Sequence, residues 1–248
     1  MNLDINITGK FQQLSKHFSD ELAYKYWFFG YNMRSLQLIE IKFQLTDVIK
    51  KSGGNNLNPY ETTNLNILLN AYYLNLLGAL DNLAWVLQHE FNIIEGASEK
   101  NNKRNKIGIF LKDFKNKLKI KDNELYKELN TYQSWFDEIK MFRDPAAHRI
   151  PLYCAPGVRT ETHTKPFHDA QNKFLKQDYK TDRDSYMEAQ TELHNIGTFQ
   201  PIFTLFSESD SPQIFNIKRT IESDYQPFWE ISNLVFKHIE KNILIKHT

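Results

Sequence analysis

Long parts of the chain repeat apolar residues at steps of three and four, the spacing that gathers side chains on one face of an α-helix. The repeat covers residues 10–51, 59–93 and 219–245, and shorter runs cover residues 107–118 and 123–143. Only one stretch of the chain alternates apolar and polar residues as a half-buried strand does. The pattern therefore predicts a mainly α fold, built as a bundle of four to five long helices.

Capping and breaking residues set the predicted helix ends. Asn58 followed by Pro59 is a favourable way to begin a helix, and Asp122 is a good N-cap for the helix after it. Residues 52–56, Ser-Gly-Gly-Asn-Asn, predict that the first helix stops there. Gly30 lies inside that first helix, and we expect it to bend the helix.

The chain changes character after Pro151. Residues 158–197 are polar and rich in lysine, with scattered aromatic residues, and they predict only short helices near residues 167–178 and 183–195. Residues 198–217 contain two β-prone runs separated by turn residues, which predicts a small β-hairpin. Pro201 cannot donate a ladder hydrogen bond, so the first strand should lie at an edge.

The length of 248 residues suits one large domain, and 41% hydrophobic with 14% aromatic residues can fill a core. We predict a single domain over residues 1–248. Its helical core is expected to comprise residues 10–150 and 218–245. Residues 152–217 are expected to form an irregular insertion that contains the hairpin.

The net charge and the cysteine content limit which partners and which cellular compartment we expect. The net charge of +1 gives no global basic field that would recruit nucleic acid, so any RNA contact must be local. Cys154 is the only cysteine, which excludes an internal disulfide and fits a reducing compartment. Residues 1–7 do not resemble a signal peptide, and no apolar run is long enough to span a bilayer. We therefore expect a cytoplasmic protein without a membrane partner.

The most informative stretch is residues 142–151, Phe-Arg-Asp-Pro-Ala-Ala-His-Arg-Ile-Pro. Pro145 lacks an N–H and should break the arriving helix at Asp144, which could then cap a new turn. On a straight helix, residues five apart point roughly 140° away from each other. A corner at Asp144 would instead let Arg143 and His148 face one space.

Arg143 and His148 are suited to cleaving RNA without a metal. A guanidinium can hold a phosphate, and an imidazole can move protons near neutral pH. Attack of a 2′-hydroxyl on the neighbouring phosphate needs a base for the proton and a cation for the developing charge. The same spacing also arises by chance, and the alternative is a surface arginine with a histidine that caps a turn.

The sequence Arg143-Asp144-x3-His148 resembles the Arg-x4–6-His motif of the HEPN superfamily, in which a polar residue commonly follows the arginine. With residues 79–85, Ala-Leu-Asp-Asn-Leu-Ala-Trp, it also looks like a group of bacterial helical proteins. The resemblance implies a bundle of four or five helices. Many such domains are metal-independent ribonucleases that act as dimers with the motif at the subunit interface, often in toxin or phage-defence systems, and others are inactive binding modules. Pro145 inside the motif departs from the family pattern.

Asp81 is a carboxylate beside an apolar helical stripe, between Leu80 and Leu83. One interpretation is a boundary residue that hydrogen-bonds to a neighbouring helix. The other is an acidic partner that orients His148 or pairs with Arg143, since a carboxylate beside an apolar surface usually needs a partner. The sequence leaves both open.

Other polar and aromatic clusters favour structural roles. The aromatic run at residues 24–31 has helical spacing, which favours core packing over base stacking. The basic loop at residues 96–106 could touch a phosphate backbone, but a solvated loop is the simpler interpretation. Cys154, His163 and His168 match no zinc template. No phosphate-binding glycine loop or catalytic elbow is present in the sequence, so we expect neither a metal nor a cofactor.

Two functions from different classes remain. The first is a metal-independent endoribonuclease of HEPN type, with Arg143 and His148 acting on RNA and Asp144 orienting one of them. The second is a non-catalytic helical module that binds a nucleotide or a protein at the same place. The wide apolar surface of residues 65–91, together with the resemblance, also predicts a homodimer.

Overall fold

The protein is mainly α with one small β-hairpin, as its periodicity predicts. The computed structural model describes residues 18–206 and 211–246, in which the side chains of His148 and of residues 243–246 are not described. A π-helical segment, Tyr26–Asn32, joins the first two helices. The helices are α1 (Glu21–Lys25), α2 (Met33–Ser52), α3 (Pro59–Phe91), α4 (Lys112–Lys121), α5 (Asn123–Asn130), α6 (Gln133–His148), α7 (Thr164–Phe174), α8 (Arg183–His194) and α9 (Ile217–Lys246).

The first helical stretch begins and ends at capping residues. The Asp20 carboxylate accepts hydrogen bonds from two backbone amides of the first turn of α1, which satisfies donors that a helix start leaves open. Glu90 in turn accepts from the Asp20 amide at 3.1 Å. The stretch ends at Ser52, as predicted, and Gly53 and Gly54 follow with positive φ. The predicted helical residues 10–17 lie outside the described residues.

Helix α3 is the longest element in the described chain and begins as the sequence predicts. Asn58 Oδ1 accepts from the Glu61 amide at 2.9 Å, and the Glu61 carboxylate accepts from the Asn58 amide at 2.9 Å, which forms a capping box. The helix runs for 33 residues to Phe91. None of the described helices, this one included, is long and apolar enough to cross a membrane.

The predicted break at Asp144 and Pro145 is wrong, because α6 continues through Pro145 to His148. Pro145 is buried, so packing of its ring compensates for the hydrogen bond that proline cannot donate. The proline also lies close to the end of the helix, where its carbonyl accepts from the Arg149 amide at 3.1 Å. Asp144 is therefore an interior helical residue and does not cap a new turn.

Two other helix boundaries differ from the prediction. The helix expected over residues 123–143 is interrupted after Asn130, where the amides of Thr131 and Tyr132 close a turn before α6. The helix expected from residue 107 begins only at Lys112. Asp122 does cap α5 as predicted, since its Oδ1 accepts from the Leu125 amide at 2.8 Å.

The first of two compact units comprises residues 1–42, 71–149 and 220–248. Its core is strongly aromatic: Tyr31 contacts Phe228 at 6.1 Å and Phe236 at 5.3 Å between ring centroids. Tyr73 of α3 packs on Phe142 of α6 at 4.9 Å, which joins the motif helix to the longest helix. These side chains are buried, and their burial is the main stabilising contribution in this unit.

The second unit comprises residues 43–70 and 150–219. An asparagine pair on α3 holds an extended segment in the way a neighbouring strand would. Asn66 donates to the Cys154 carbonyl at 3.1 Å and accepts from the Cys154 amide at 2.7 Å. Asn70 makes the same pair of bonds with Leu152, at 2.9 and 3.0 Å. The asparagines thus satisfy backbone groups that this half-buried segment would otherwise leave unpaired.

The β-hairpin of the second unit lies beside the same segment. Strand β1 (Ile202–Leu205) pairs antiparallel with β2 (Gln213–Asn216), and Phe203 lies opposite Phe215. Tyr153 and Thr204 exchange backbone hydrogen bonds on the other edge of β1. The hairpin predicted at residues 198–217 is therefore confirmed, as are the short helices predicted near residues 167–178 and 183–195.

Candidate functional site

Arg143 and Asp144 pair with each other on the surface of α6. Arg143 Nη1 donates to Asp144 Oδ1 at 3.1 Å, and the two side chains are 32% and 33% exposed. The preceding residue, Phe142, is fully buried against Tyr73 and anchors the helix at this point. Arg143 is thus held at a solvent-accessible position by a buried neighbour. Among the described side chains it donates to Asp144, which leaves most of its five N–H donors for another acceptor.

His148 is the last residue of α6, and its side chain is not among those described. Helix α6 is continuous from Arg143 to His148, and positions five apart on a helix lie roughly 140° apart around its axis. The corner that was expected to turn both side chains towards one space is not formed. A shared Arg143–His148 cleft therefore stays a prediction.

Asp81 of α3 lies in the electrostatic field of Arg143. Crowding by surrounding protein raises the pKa of its carboxyl, while the positive charges of Arg143 and Arg34 oppose that shift. The side chain still reaches solvent, so the carboxylate lies at an accessible surface and not in the core. Whether Asp81 pairs with Arg143 or hydrogen-bonds to a neighbouring helix stays a prediction.

Arg34 of α2 joins this group, and sequence reasoning missed it. Its Nη1 donates to Asn75 Oδ1 on α3 at 3.2 Å. A Cβ atom placed on Gly78 would lie 2.7 Å from both Cζ and Nη1 of Arg34, so the guanidinium rests on the backbone of α3. Glycine inside a helix costs about 1 kcal/mol relative to alanine. Its presence at position 78 makes room for Arg34.

A second glycine makes the same kind of contact in the opposite direction. A Cβ atom on Gly30, in the π-helical segment, would lie 2.6 Å from Cγ of Asn82 on α3. Gly78 of α3 therefore accommodates the side chain of Arg34, and Gly30 accommodates the side chain of Asn82. Insertions of one residue that create π-helical turns often occur at functional sites. The two contacts fix Arg34 beside the turn of α3 that carries Asp81.

A pattern in α3 could have indicated this face. Asn75, Gly78, Asp81 and Asn82 recur at steps of three and four within an otherwise apolar helix, so they share one side. A polar stripe with a glycine at its centre indicates close approach by another chain segment. Nothing in the local sequence of α2 identifies Arg34 as the residue that approaches.

Four exposed apolar side chains lie on the same helical stretches as Arg34 and Asn75. Phe29 is 66% exposed, Met33 45%, Leu36 42% and Leu74 37%, and we name these four residues the α2–α3 apolar face. Met33 and Leu36 lie close to Arg34 on α2, Leu74 precedes Asn75 on α3, and Phe29 lies in the π-helical segment. The prediction that the aromatic run at residues 24–31 is core holds for Trp27 and Tyr31, which are buried, but not for Phe29.

Other polar residues that the sequence offered as site candidates are buried or make local hydrogen bonds. Cys154 is buried, which raises the pKa of its thiol to about 12. His163 Nδ1 accepts from the Thr160 amide at 3.1 Å and so caps a short turn. In the basic loop, Lys103 Nζ donates to the Glu95 carbonyl at 2.7 Å. The described residues contain no group of three or more His, Cys, Asp or Glu side chains able to hold a metal ion.

Hydrogen bonds join Arg143 to Asp144 and Arg34 to Asn75, and the positive charges of both arginines oppose the raised pKa of the Asp81 carboxyl. Comparison with known proteins gives no further identification: no family model, no curated protein and no solved structure matches this chain.

Proposed function

We propose that this chain is a metal-independent endoribonuclease of HEPN type, with its site at Arg143. The observation that carries the proposal is the position of Arg143, which is partly exposed and anchored by the buried Phe142. Asp144 holds one edge of its guanidinium at 3.1 Å. A guanidinium held in this way is suited to a phosphate, because its planar donors match phosphate oxygens in pairs.

The proposed reaction is transfer of a phosphodiester within the RNA chain. His148 takes the proton of a 2′-hydroxyl, and the 2′-oxygen bonds to phosphorus as the bond from phosphorus to the 5′-oxygen breaks. The leaving 5′-oxygen takes a proton from solvent water. The products are a 2′,3′-cyclic phosphate and a 5′-hydroxyl. Arg143 stabilises the extra negative charge that the phosphate carries in the transition state. Asp144 keeps the guanidinium in position for that contact.

The continuity of α6 favours a second candidate, a non-catalytic binding module. Positions 143 and 148 of a continuous helix lie roughly 140° apart around its axis, so α6 alone does not turn both residues towards one phosphate. A module that binds a nucleotide or a protein through Arg143 alone has no such requirement. Binding without cleavage distinguishes this candidate from the ribonuclease.

We also propose a homodimer. If α6 of one copy meets α6 of the other, Arg143 and His148 from different copies can act on the same phosphate. His148 of one copy could then face Arg143 of the other. The stripe of α3 that first suggested dimerisation is mostly buried within the chain itself. The support that remains is the α2–α3 apolar face, whose four side chains are exposed.

The proposed function is tested by incubating the full chain with a mixed RNA pool in excess EDTA and identifying the product ends. We expect 5′-hydroxyl and 2′,3′-cyclic phosphate ends, since the steps above need only side-chain groups. Bound but intact RNA would support the binding module instead. Products with 5′-phosphate ends would contradict the proposed reaction.

A further inference from the structure

Tyr26 belongs to a stack of aromatic rings in the first unit. Its ring packs nearly parallel on Trp85, with ring centroids 5.2 Å apart and an angle of 6° between the planes, and on His89 at 5.5 Å and 22°. Trp85 and His89 are four residues apart on α3, so they share one face of that helix. Tyr26 is half-buried, so part of its ring stays accessible to solvent. A flat ring held in this way is suited to stacking with another flat ring.

A hydrogen bond joins this stack to the basic loop of residues 96–106. The Tyr26 hydroxyl donates to Glu99 Oε1, and burial, together with Glu99, raises the pKa of that hydroxyl, which keeps it a neutral donor. Asn101 fixes the loop, because its Oδ1 accepts from the Lys103 amide at 3.0 Å. The loop is therefore held beside the aromatic stack, and two features that are separate in the sequence form one surface.

The loop brings positive charge to this surface. Its four basic side chains and one acidic side chain give it a local charge of +3, although the net charge of the chain is +1. Lys106 pairs with Asp113 at 3.0 Å. Lys100 and Arg104 are exposed, and neither makes a side-chain hydrogen bond or ion pair with a described residue. Lys100 directly follows Glu99, so it lies beside the acceptor of the tyrosine hydroxyl.

We propose that one base of a single-stranded RNA stacks on Tyr26, and that Lys100 and Arg104 bind phosphates of the same strand. An aromatic ring beside positive charge is the combination that binds single strands, because each base offers a flat face and each phosphate a negative charge. The bases of a duplex are already stacked on one another, so the surface suits an unpaired segment. Single-stranded RNA is then the substrate of the proposed ribonuclease, and the site rests on that proposed function for the choice of RNA.

Changing the ligand as well as the protein separates stacking from charge. The probes are two fluorescein-labelled 2′-O-methyl oligonucleotides of equal length, an oligoadenylate and a strand with abasic sugars throughout. Both lack the attacking 2′-hydroxyl, so neither is cleaved by the proposed reaction. Binding to the full chain is measured by fluorescence anisotropy across a series of salt concentrations. The variants are Tyr26→Ala, Tyr26→Phe, Lys100→Ala and Arg104→Ala, and the matched controls are Tyr60→Ala and Arg219→Ala, at exposed side chains.

Tyr26→Ala is expected to weaken binding of the oligoadenylate about tenfold and to leave binding of the abasic strand within about twofold of wild type, because only the former loses a stacked base. Tyr26→Phe keeps the ring and should retain most of the affinity. Lys100→Ala and Arg104→Ala should weaken binding of both strands, and each should lower the salt dependence by about one phosphate contact. Tyr60→Ala and Arg219→Ala should stay within about twofold of wild type, because neither removes a base or phosphate contact.

The outcomes separate the stacking site from the proposed ribonuclease. Equal losses for the two strands in Tyr26→Ala would show that the tyrosine only supports the loop, which overturns the site. If Tyr26→Ala does not fold, wild type decides: equal affinity for the two strands, or no binding of either, also overturns it. Cleavage of unmodified RNA by a wild type that does not distinguish the strands contradicts the stacking site alone. Binding that depends on Tyr26, without cleavage of unmodified RNA, supports the stacking site and contradicts the ribonuclease.

Discussion

At the scale of single residues, Asp224 of α9 is a buried carboxyl group whose pKa is raised. It is 3% exposed and accepts hydrogen bonds from Tyr73 Oη at 3.1 Å and Trp135 Nε1 at 3.2 Å. Burial raises the pKa of its carboxyl to about 7, although both hydrogen bonds oppose the shift, and nearby Glu138 raises it further. The folded protein therefore holds a proton on Asp224 that the unfolded chain releases at a much lower pH.

This shift predicts a pH dependence of stability. Between about pH 4 and 7 the folded state binds the Asp224 proton and the unfolded state does not, so stability falls as pH rises and levels off above 7. Asp224→Asn removes the buried charge and keeps one acceptor oxygen, which can serve either Tyr73 or Trp135. We expect this variant to gain about 1–3 kcal/mol over wild type between pH 5 and 8 in urea unfolding. Equal pH dependence in both proteins would show that Asp224 does not titrate in this range.

Three of the residues considered for the site had a signal in the sequence. Arg143 and Asp144 stand together in a recognisable motif, and Asp81 interrupts an apolar stripe. Arg34 has no such signal, because its partner Asn75 lies 41 residues further along the chain. The contact depends on how α2 and α3 pack, and Gly78 is informative only once the neighbouring side chain is known.

At the scale of elements, the asparagine pair of α3 replaces strand pairing in the second unit. Asn66→Ala or Asn70→Ala would leave an amide and a carbonyl of the Leu152–Cys154 segment without partners. Each change is expected to cost about 1–3 kcal/mol in urea unfolding. Asn64→Ala on the same helix is the matched control and should stay within about 0.5 kcal/mol of wild type. Equal effects at all three positions would mean that helix propensity, and not the paired bonds, sets the cost.

The helix boundaries show which structural features are determined by residues close together in the sequence. Apolar periodicity and caps located α3 and α9 closely, because a helix face and a cap are encoded within a few residues. The sequence rule failed at Pro145, where the local preference for a break is outweighed by burial of the ring and by the packing of Phe142 on Tyr73. Tertiary contacts of this kind cannot be inferred from the dipeptide Asp144-Pro145.

At the scale of the whole molecule, the mainly α architecture followed from the sequence, and assembly remains to be measured. We predict a dimer of about twice the chain mass of 29.4 kDa by light scattering at tens of micromolar. Phe29→Asp with Leu36→Asp should yield monomers, because a buried interface cannot accommodate unpaired charges. Ile120→Asp, at a side chain 78% exposed on α4, is the control and should leave the mass unchanged. A monomeric wild type would contradict the proposed dimer.

The most direct test of the proposed ribonuclease is single-turnover cleavage of RNA by wild type, Arg143→Ala, His148→Ala and the double variant. Each single change should lower the rate by a similar factor, and the double variant should lose little more, because residues that act as one unit are not additive. Unfolding temperatures measured on the same samples should stay close to wild type, since Arg143 is partly exposed and makes one side-chain pair. A wild type that cuts no RNA, with His148→Ala unfolding well below it, would show that the histidine is structural and contradict the account.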